Sequence, residues 1–444
     1  MLDQKLSQKW QTRTLIPACA AAVAALAGCS TSVVGTSSPV NRPATTMRGV
    51  IHGGQQPVAG AAVQLYVANA TGGYGSSSSP LLASPVLTSS SGNFTINGPI
   101  NCPSPNSLAY IVATGGNPGL GSNNANLALM AALGTCTNLN AQTNIQINEL
   151  TTIASVYALA PFMSSFSAVG SSTANFQGLT NAFAIVNNLV DIGTGALSGP
   201  TLPPNAVLPT TELNTLADII AACVNSGGGV ANDGSTCGSL FQLTTPTGGP
   251  APVDTIGASL NIARYPARNV TALVALNPPA SPFQPTLSSA TDFTVSIKYK
   301  SGGFSAPSAS AVDASGNLWV TNANNSVSVL NPAGSPVTGS PFTGGGLSAP
   351  SAIAIDVSGN AWITDSASSK LSVFNLAGAG FQTAATGLAA PSSLAIDGQG
   401  TVWVTNSGNN TVTAVTTSGT TVSSSNSYAT GGINAPAAVA INPY

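Results

Sequence analysis

The stretch Ala349-Pro350-Ser351-Ala352-Ile353-Ala354-Ile355-Asp356, followed across a Ser-Gly-Asn turn by Ala361-Trp362-Ile363-Thr364-Asp365, decides the architecture of this chain. The same phrase stands at Ala306-Pro307-Ser308-Ala309-Ser310-Ala311-Val312-Asp313, with Leu318-Trp319-Val320-Thr321 after it. It returns at Ala390-Pro391-Ser392-Ser393-Leu394-Ala395-Ile396-Asp397, with Val402-Trp403-Val404-Thr405. A partial copy, Ala435-Pro436-Ala437-Ala438-Val439-Ala440-Ile441-Asn442, closes the chain. From Pro307 to Pro350, Pro391 and Pro436 the intervals are 43, 41 and 45 residues. The short apolar runs and the alternating Trp segments read as strands. Asp, Asn and Gly between them favour tight reversals. A third strand follows in each copy, at Ser326-Val327-Ser328-Val329, Leu371-Ser372-Val373-Phe374 and Thr411-Val412-Thr413-Ala414-Val415. Then comes a Gly-rich crossing such as Thr343-Gly344-Gly345-Gly346.

Short strands repeating every ~40–50 residues point to radially repeated sheets, a β-propeller. One Trp per repeat suits packing between neighbouring sheets, where a large flat side chain fills the wedge. The signature residues Asp313, Trp319, Asp356, Trp362, Asp397 and Trp403 resemble the NHL-type repeat of secreted bacterial proteins and of the streptogramin lyase family. The resemblance covers roughly residues 292–444 and implies a ring of about six blades, whereas three and a half are written here. Residues 292–299 read as the third strand of a preceding, degenerate repeat. An open ring covered by other parts, two chains completing one ring, and a shortened relative all fit; an open edge needs protection.

Residues 1–28 read as an export signal, with Lys5, Lys9 and Arg13 ahead of an Ala-rich run too short to span a bilayer. Leu26-Ala27-Gly28-Cys29 resembles the bacterial lipobox, which implies cleavage before Cys29 and its lipidation. Acyl chains gain ~0.8 kcal/mol per buried methylene, so the expected partner is a membrane, reached through a lipid anchor. Ser30 in place of Asp favours the outer membrane. Residues 29–46 are Ser/Thr/Pro-rich and read as a tether. Only 5% of the 444 residues are charged, with a net charge of −2, so nothing offers an electrostatic footprint for nucleic acid.

Residues 47–148 resemble the carboxypeptidase regulatory-like β-sandwich, through Gly49-Val50-Ile51, Pro57-Val58-Ala59-Gly60-Ala61-Ala62-Val63 and Phe94-Thr95-Ile96. Tyr110-Ile111-Val112-Ala113-Thr114 and residues 127–133 add strands. In residues 149–276 the apolar period shifts to three and four, behind an Asn148 cap, through Phe176, Leu179, Phe183 and Val186, and through Leu213, Leu216 and Ile219. A fourth helix runs from an Asp254 cap to Pro266. The reading is a mainly β, multidomain chain: sandwich, helical domain at 149–276, and partial propeller at 277–444.

Cys102, Cys136, Cys223 and Cys237 remain after Cys19 leaves and Cys29 takes lipid. An even number in an exported chain suggests disulfides, and local pairing is preferred among three connectivities. No Cys-x-x-Cys spacing supports zinc. His52 is the one histidine and the last Glu is Glu212, so the repeats hold no His, Cys or Glu. The His and Glu that streptogramin lyases use therefore have no counterpart in the matching segment. Asp313, Asp356 and Asp397 read as turn formers rather than calcium ligands. Asp365, where the other repeats have Asn322 and Asn406, is the candidate binding residue. No catalytic residue, cofactor or metal is expected. The function expected is a non-enzymatic envelope lipoprotein that binds a protein or glycan. The alternatives are a passive scaffold and, behind it, a metal-dependent lyase or lactonase.

Overall fold

A computed structural model describes residues 40–41, 46–141, 144–278, 280–300 and 302–441. The export signal, Cys29 and most of the tether lie outside the described residues. The chain is mainly β, built of several small sheets with a few helices.

The N-terminal part folds as two facing sheets. In the first, β1 (Met47–Gly53) pairs antiparallel with β3 (Asn93–Ile96) and parallel with β6 (Ile145–Ile147). In the second, β4 (Leu108–Thr114) lies between β2 (Ala62–Val67) and β5 (Ala128–Thr135), antiparallel to both. Strand β1 alternates buried and more open positions, as a strand with one covered face should. The first six residues of β4 and of β5 are all buried, so their sheet is covered on both faces.

The helices supply the second cover. They are α1 (Glu149–Leu159), α2 (Phe176–Leu189), α3 (Thr210–Val224), α4 (Thr236–Thr244), α5 (Thr255–Arg264) and α6 (Val270–Val274). Asn148 caps α1 through a capping box, and Asp254 caps α5 by accepting from Gly257 N–H. Helix α1 is buried almost all round, and its hydroxyls serve the sheet. Thr152 Oγ1 accepts from Met130 N–H at 2.9 Å and Ser155 Oγ from Ala132 N–H at 3.0 Å. Thr255 Oγ1 of α5 accepts from Ala128 N–H at 3.0 Å. These bonds satisfy the free edge of β5, which would otherwise offer unpaired donors to another chain. One hydrophobic core therefore runs from Met47 through the helices to Phe293. Disulfides Cys102–Cys136 and Cys223–Cys237 form, the local pairing preferred from the sequence.

The repeats make three four-stranded antiparallel meanders. The first holds β7 (Pro307–Val312), β8 (Leu318–Asn322), β9 (Ser326–Leu330) and β10 (Phe342–Thr343). The second holds β11 (Pro350–Ile355), β12 (Ala361–Asp365), β13 (Lys370–Phe374) and β14 (Gly380–Gln382). The third holds β15 (Pro391–Ile396), β16 (Val402–Asn406), β17 (Thr411–Ser418) and β18 (Thr421–Tyr428). Trp319 packs with Ile353, Ile363 and Phe374 of the second sheet, and Trp362 with Leu394, Val402 and Val404 of the third. Each of these two indoles thus fills the space toward the following sheet.

Two expectations are corrected. Residues 292–299 are not the third strand of another repeat: Phe293 is buried in the N-terminal core, and Lys298–Tyr299 pairs with Ala206–Val207. The alternation that suggested a repeat strand serves instead to fasten the repeats to the helical part. The partial copy at 435–441 forms no strand, although it docks on the third sheet as described below.

Candidate functional site

The repeat turns are built around their carboxylates. Asp356 Oδ1 accepts from the backbone N–H of Ser358 and of Asn360, both at 2.9 Å. Its Oδ2 accepts from Asn360 Nδ2 and from Trp362 Nε1, both at 2.9 Å. Asp313 repeats the pattern with Ser315, Asn317 and Trp319, the indole at 3.0 Å. Asp397 binds Gln399 N–H, Thr401 N–H and Trp403 Nε1, the last at 2.9 Å. Burial works against the charge of Asp313 and Asp397, but these donors hold both carboxyls below the ordinary value. Four donors on Asp313 and on Asp356, and three on Asp397, engage the carboxylate lone pairs, which makes these residues turn and indole holders. The same bond explains the Trp: a buried indole N–H needs an acceptor, and the turn provides it.

The opposite end of the sheets carries the contacts between repeats. Ser308 Oγ donates to Pro350 O at 2.9 Å, Ser351 Oγ to Pro391 O at 3.0 Å, and Ser392 Oγ to Pro436 O at 2.6 Å. Ala306, Ala349, Ala390 and Ala435 all have φ between 41 and 50°. For alanine this left-handed conformation is strained, and cross-repeat bonds hold three of the four. Ala349 N–H donates to Asn325 Oδ1 at 2.8 Å, Ala390 N–H to Ser369 Oγ at 3.2 Å, and Ala435 N–H to Asn410 Oδ1 at 2.8 Å. The partial fourth copy therefore keeps the docking bonds of a repeat without its strand. The loops 323–325, 366–369 and 407–410 sit at this end and present only Asn, Ser, Ala and Gly.

Asp365 is not a surface residue. It is 0% exposed, accepts from Ser348 N–H at 3.0 Å and from Ser372 Oγ at 2.6 Å, and burial pushes its carboxyl up to about 6. The sequence expectation of a binding carboxylate there is corrected on this ground. Asn322 and Asn406 hold the same position, accepting from Ser305 and Ala389 N–H. Their amides also donate to two hydroxyls each, Ser326 and Ser328, or Thr411 and Thr413. An ionised acid cannot donate in this way; burial holds Asp365 toward its neutral form, against the bonds it accepts from Ser372 and Ser348.

Buried acids in the N-terminal part had no sequence signal. Glu149, in the first turn of α1, is 0% exposed, and both its oxygens accept from Gly54 N–H, at 2.8 and 3.0 Å. Burial, with Asp218 adding to it, pushes its carboxyl up to about 8. Burial likewise raises Asp218 to about 6, and burial with the nearby Asp292 raises Glu212 to about 7. His52 is lowered by burial. Among the described residues no group of three or more His, Cys, Asp or Glu is placed to hold a metal ion.

Three stacked meanders joined by Trp-filled interfaces place the repeats among propeller-like sheets. No protein-family model and no curated protein matches the chain. Solved structures similar to part of it include virginiamycin B lyase from Staphylococcus aureus, 21% identical over 25% of this chain and 38% of that one, TM-score 0.23. Streptogramin B lyase is 16% identical over 30% of this chain and 44% of its own, TM-score 0.27. A functionally unknown protein from Desulfotomaculum acetoxidans is 16% identical over 34% and 49%, TM-score 0.28. The chain spans less than half the length of these three structures.

Proposed function

We propose that the chain is a non-enzymatic envelope lipoprotein, anchored through lipid on Cys29. In this reading an N-terminal sandwich and helical layer carry three NHL-type blades, an open arc of a propeller, which recognises a protein or polysaccharide. The observation that carries the reading is the use of charge. Residues 302–441 hold four Asp and one Lys, and every one of those carboxylates binds donors of its own sheet or of the adjoining turn. General acid–base chemistry needs a group free to reach a substrate proton. The loops at 323–325, 366–369 and 407–410 instead offer fixed amides and hydroxyls, suited to neutral recognition.

The test is cross-linking in the native envelope, followed by purification through a C-terminal tag. One reproducible protein or glycan, lost on Asn409→Lys with Ser368→Lys, supports recognition by the repeats. Recovery of the chain alone overturns it in favour of a passive scaffold. Turnover abolished by chelation would overturn the non-enzymatic reading. Cys29→Ser is expected to release the chain from the membrane fraction.

A further inference from the structure

Within the array each sheet turns one indole and two third-strand residues toward its successor. The first uses Trp319, Val327 and Val329, packed with Ile353, Ile363 and Phe374. The second uses Trp362, Leu371 and Val373, packed with Leu394, Val402 and Val404. In the third sheet the same positions are Trp403, Val412 and Ala414. They stay apolar, yet Trp403 and Val412 are only half-buried, and Tyr428, stacked on the indole, is 47% exposed. The third sheet keeps the surface that receives a neighbour, and among the described residues no fourth sheet covers it.

What docks there is the partial copy. Pro436 O accepts from Ser392 Oγ as Pro350 O does from Ser308 and Pro391 O from Ser351. Ala435 N–H donates to Asn410 Oδ1 as Ala349 N–H does to Asn325 Oδ1, and its φ of 41° stands with the 50° of Ala349 and the 43° of Ala390. Val439 occupies the place in the phrase where Ile353 and Leu394 meet the preceding indole, and it is half-buried. The segment thus imitates the first strand of a following sheet and brings none of the three strands behind it. Residues 429–434 tie it to β18. A tether this short gives an effective concentration on the order of mM, so weak docking holds the place against dilute competitors.

A competitor is present on the same chain. The phrase at Ala306-Pro307 begins as Ala435-Pro436 does, with Ala306 at φ 44°. Pro307 is exposed where Pro350 and Pro391 are buried, because no preceding sheet receives it among the described residues. Beside it Val312 is 62% exposed and Leu318 half-buried, at the positions of Ile355 and Ala361. The first sheet of a second copy would bring four strands to the face that the tail covers with one segment.

We propose that residues 435–441 are an intramolecular stand-in for the first strand of a second copy. Docked, they hold the chain as a single arc. Released, they leave the third sheet free to take the first sheet of another chain, head to tail. The pairing is heterologous, since each copy offers a different end. Ser310, polar where Ile353 and Leu394 are apolar, weakens that pairing enough for the tail to decide the outcome. The proposal rests on packing between sheets and not on what the loops recognise, so it stands or falls apart from the recognition reading.

The test is sedimentation velocity of the full chain in detergent, which disperses any lipid. The parent should keep one sedimentation coefficient as concentration rises. Ala435→Ile puts a β-branched residue at positive φ; together with Val439→Asp it should release the segment and give concentration-dependent association. An unchanged near-ultraviolet circular dichroism spectrum distinguishes release from unfolding, since both positions lie outside the sheets. Ala435→Gly suits the same φ and should behave as the parent. Ser310→Lys, added to the released variant, charges the incoming first sheet and should return it to single chains. A released variant that stays single overturns the proposal. So does association that Ser310→Lys leaves intact, or that Ala435→Gly shows equally.

Discussion

Trp362 Nε1 donates to Asp356 Oδ2 at 2.9 Å, and the same carboxylate closes the turn between β11 and β12. One acid thus sets both the strand reversal and the orientation of the indole that joins the second sheet to the third. Trp362 is 1% exposed, whereas Trp403, stacked on Tyr428 at 6.1 Å, is only half-buried. Asp356→Ala leaves a buried donor unpaired and opens the turn. A loss of about 2–3 kcal/mol is expected, from bonds to a charged acceptor. Asp397→Ala should cost about 1 kcal/mol, since water can reach the Trp403 side. Guanidinium unfolding of the two variants checks the order; equal losses would mean that the turn alone matters.

The pH dependence should be unusual. Glu149 has an ordinary value of 4.5 and sits at about 8 in the fold; Glu212 moves from 4.5 to about 7, and Asp218 and Asp365 from 3.8 to about 6. Across these intervals the folded chain keeps protons that the unfolded chain has released, so stability falls as pH rises from about 4 to 8. Asp313 and Asp397 lie below their ordinary 3.8, so their contribution is present above that value and is lost as pH falls further. Stability should therefore peak near pH 4–5, lower than usual. Thermal melts from pH 3 to 9 measure this. Glu149→Gln keeps an acceptor for Gly54 and should flatten the decline between pH 5 and 8.

Much of this was legible and some was not, for reasons that differ by residue. The three Trp strands declare themselves because Gly-bearing turns bracket short alternating runs, three times over. Phe342–Thr343 and Gly380–Gln382 do not, being too short to show a period. The alternation of Phe293, Val295 and Ile297 looks the same whether it faces a repeat sheet or the helical core; only the docking of Phe293 decides. Helix α4 escaped notice because Gly, Ser and Thr surround its few apolar positions. Asn148 announces a helix, but the burial of Glu149 depends on Gly54, 95 residues earlier, which no local pattern encodes.

Asp365→Asn should stabilise the chain. The asparagines at 322 and 406 show that the position accepts an amide, and Ser372 stands ready to accept from it as Ser328 does from Asn322. The gain should be about 1–2 kcal/mol at pH 7 and vanish below pH 4, where the acid is neutral. Urea titrations at the two pH values measure it. A loss of stability at pH 7 would show that the charged form is held by something these contacts omit.

The first sheet departs from its siblings at one position that bears on assembly. Ile353 and Leu394 are 8% and 6% exposed, each packed against the indole of the preceding sheet. Their counterpart is Ser310, which is exposed, beside Val312 at 62%. A terminal repeat needs a polar outer face to stay soluble, and serine at this position serves that need. Ser310→Ile would restore the apolar surface that the other two sheets use to receive a neighbour. Concentration-dependent self-association is expected in sedimentation velocity for the variant, against a constant sedimentation coefficient for the parent chain. If the parent already associates and Ser310→Lys dissolves the assembly, the face is an interface between copies, and two arcs sharing one ring becomes the better account.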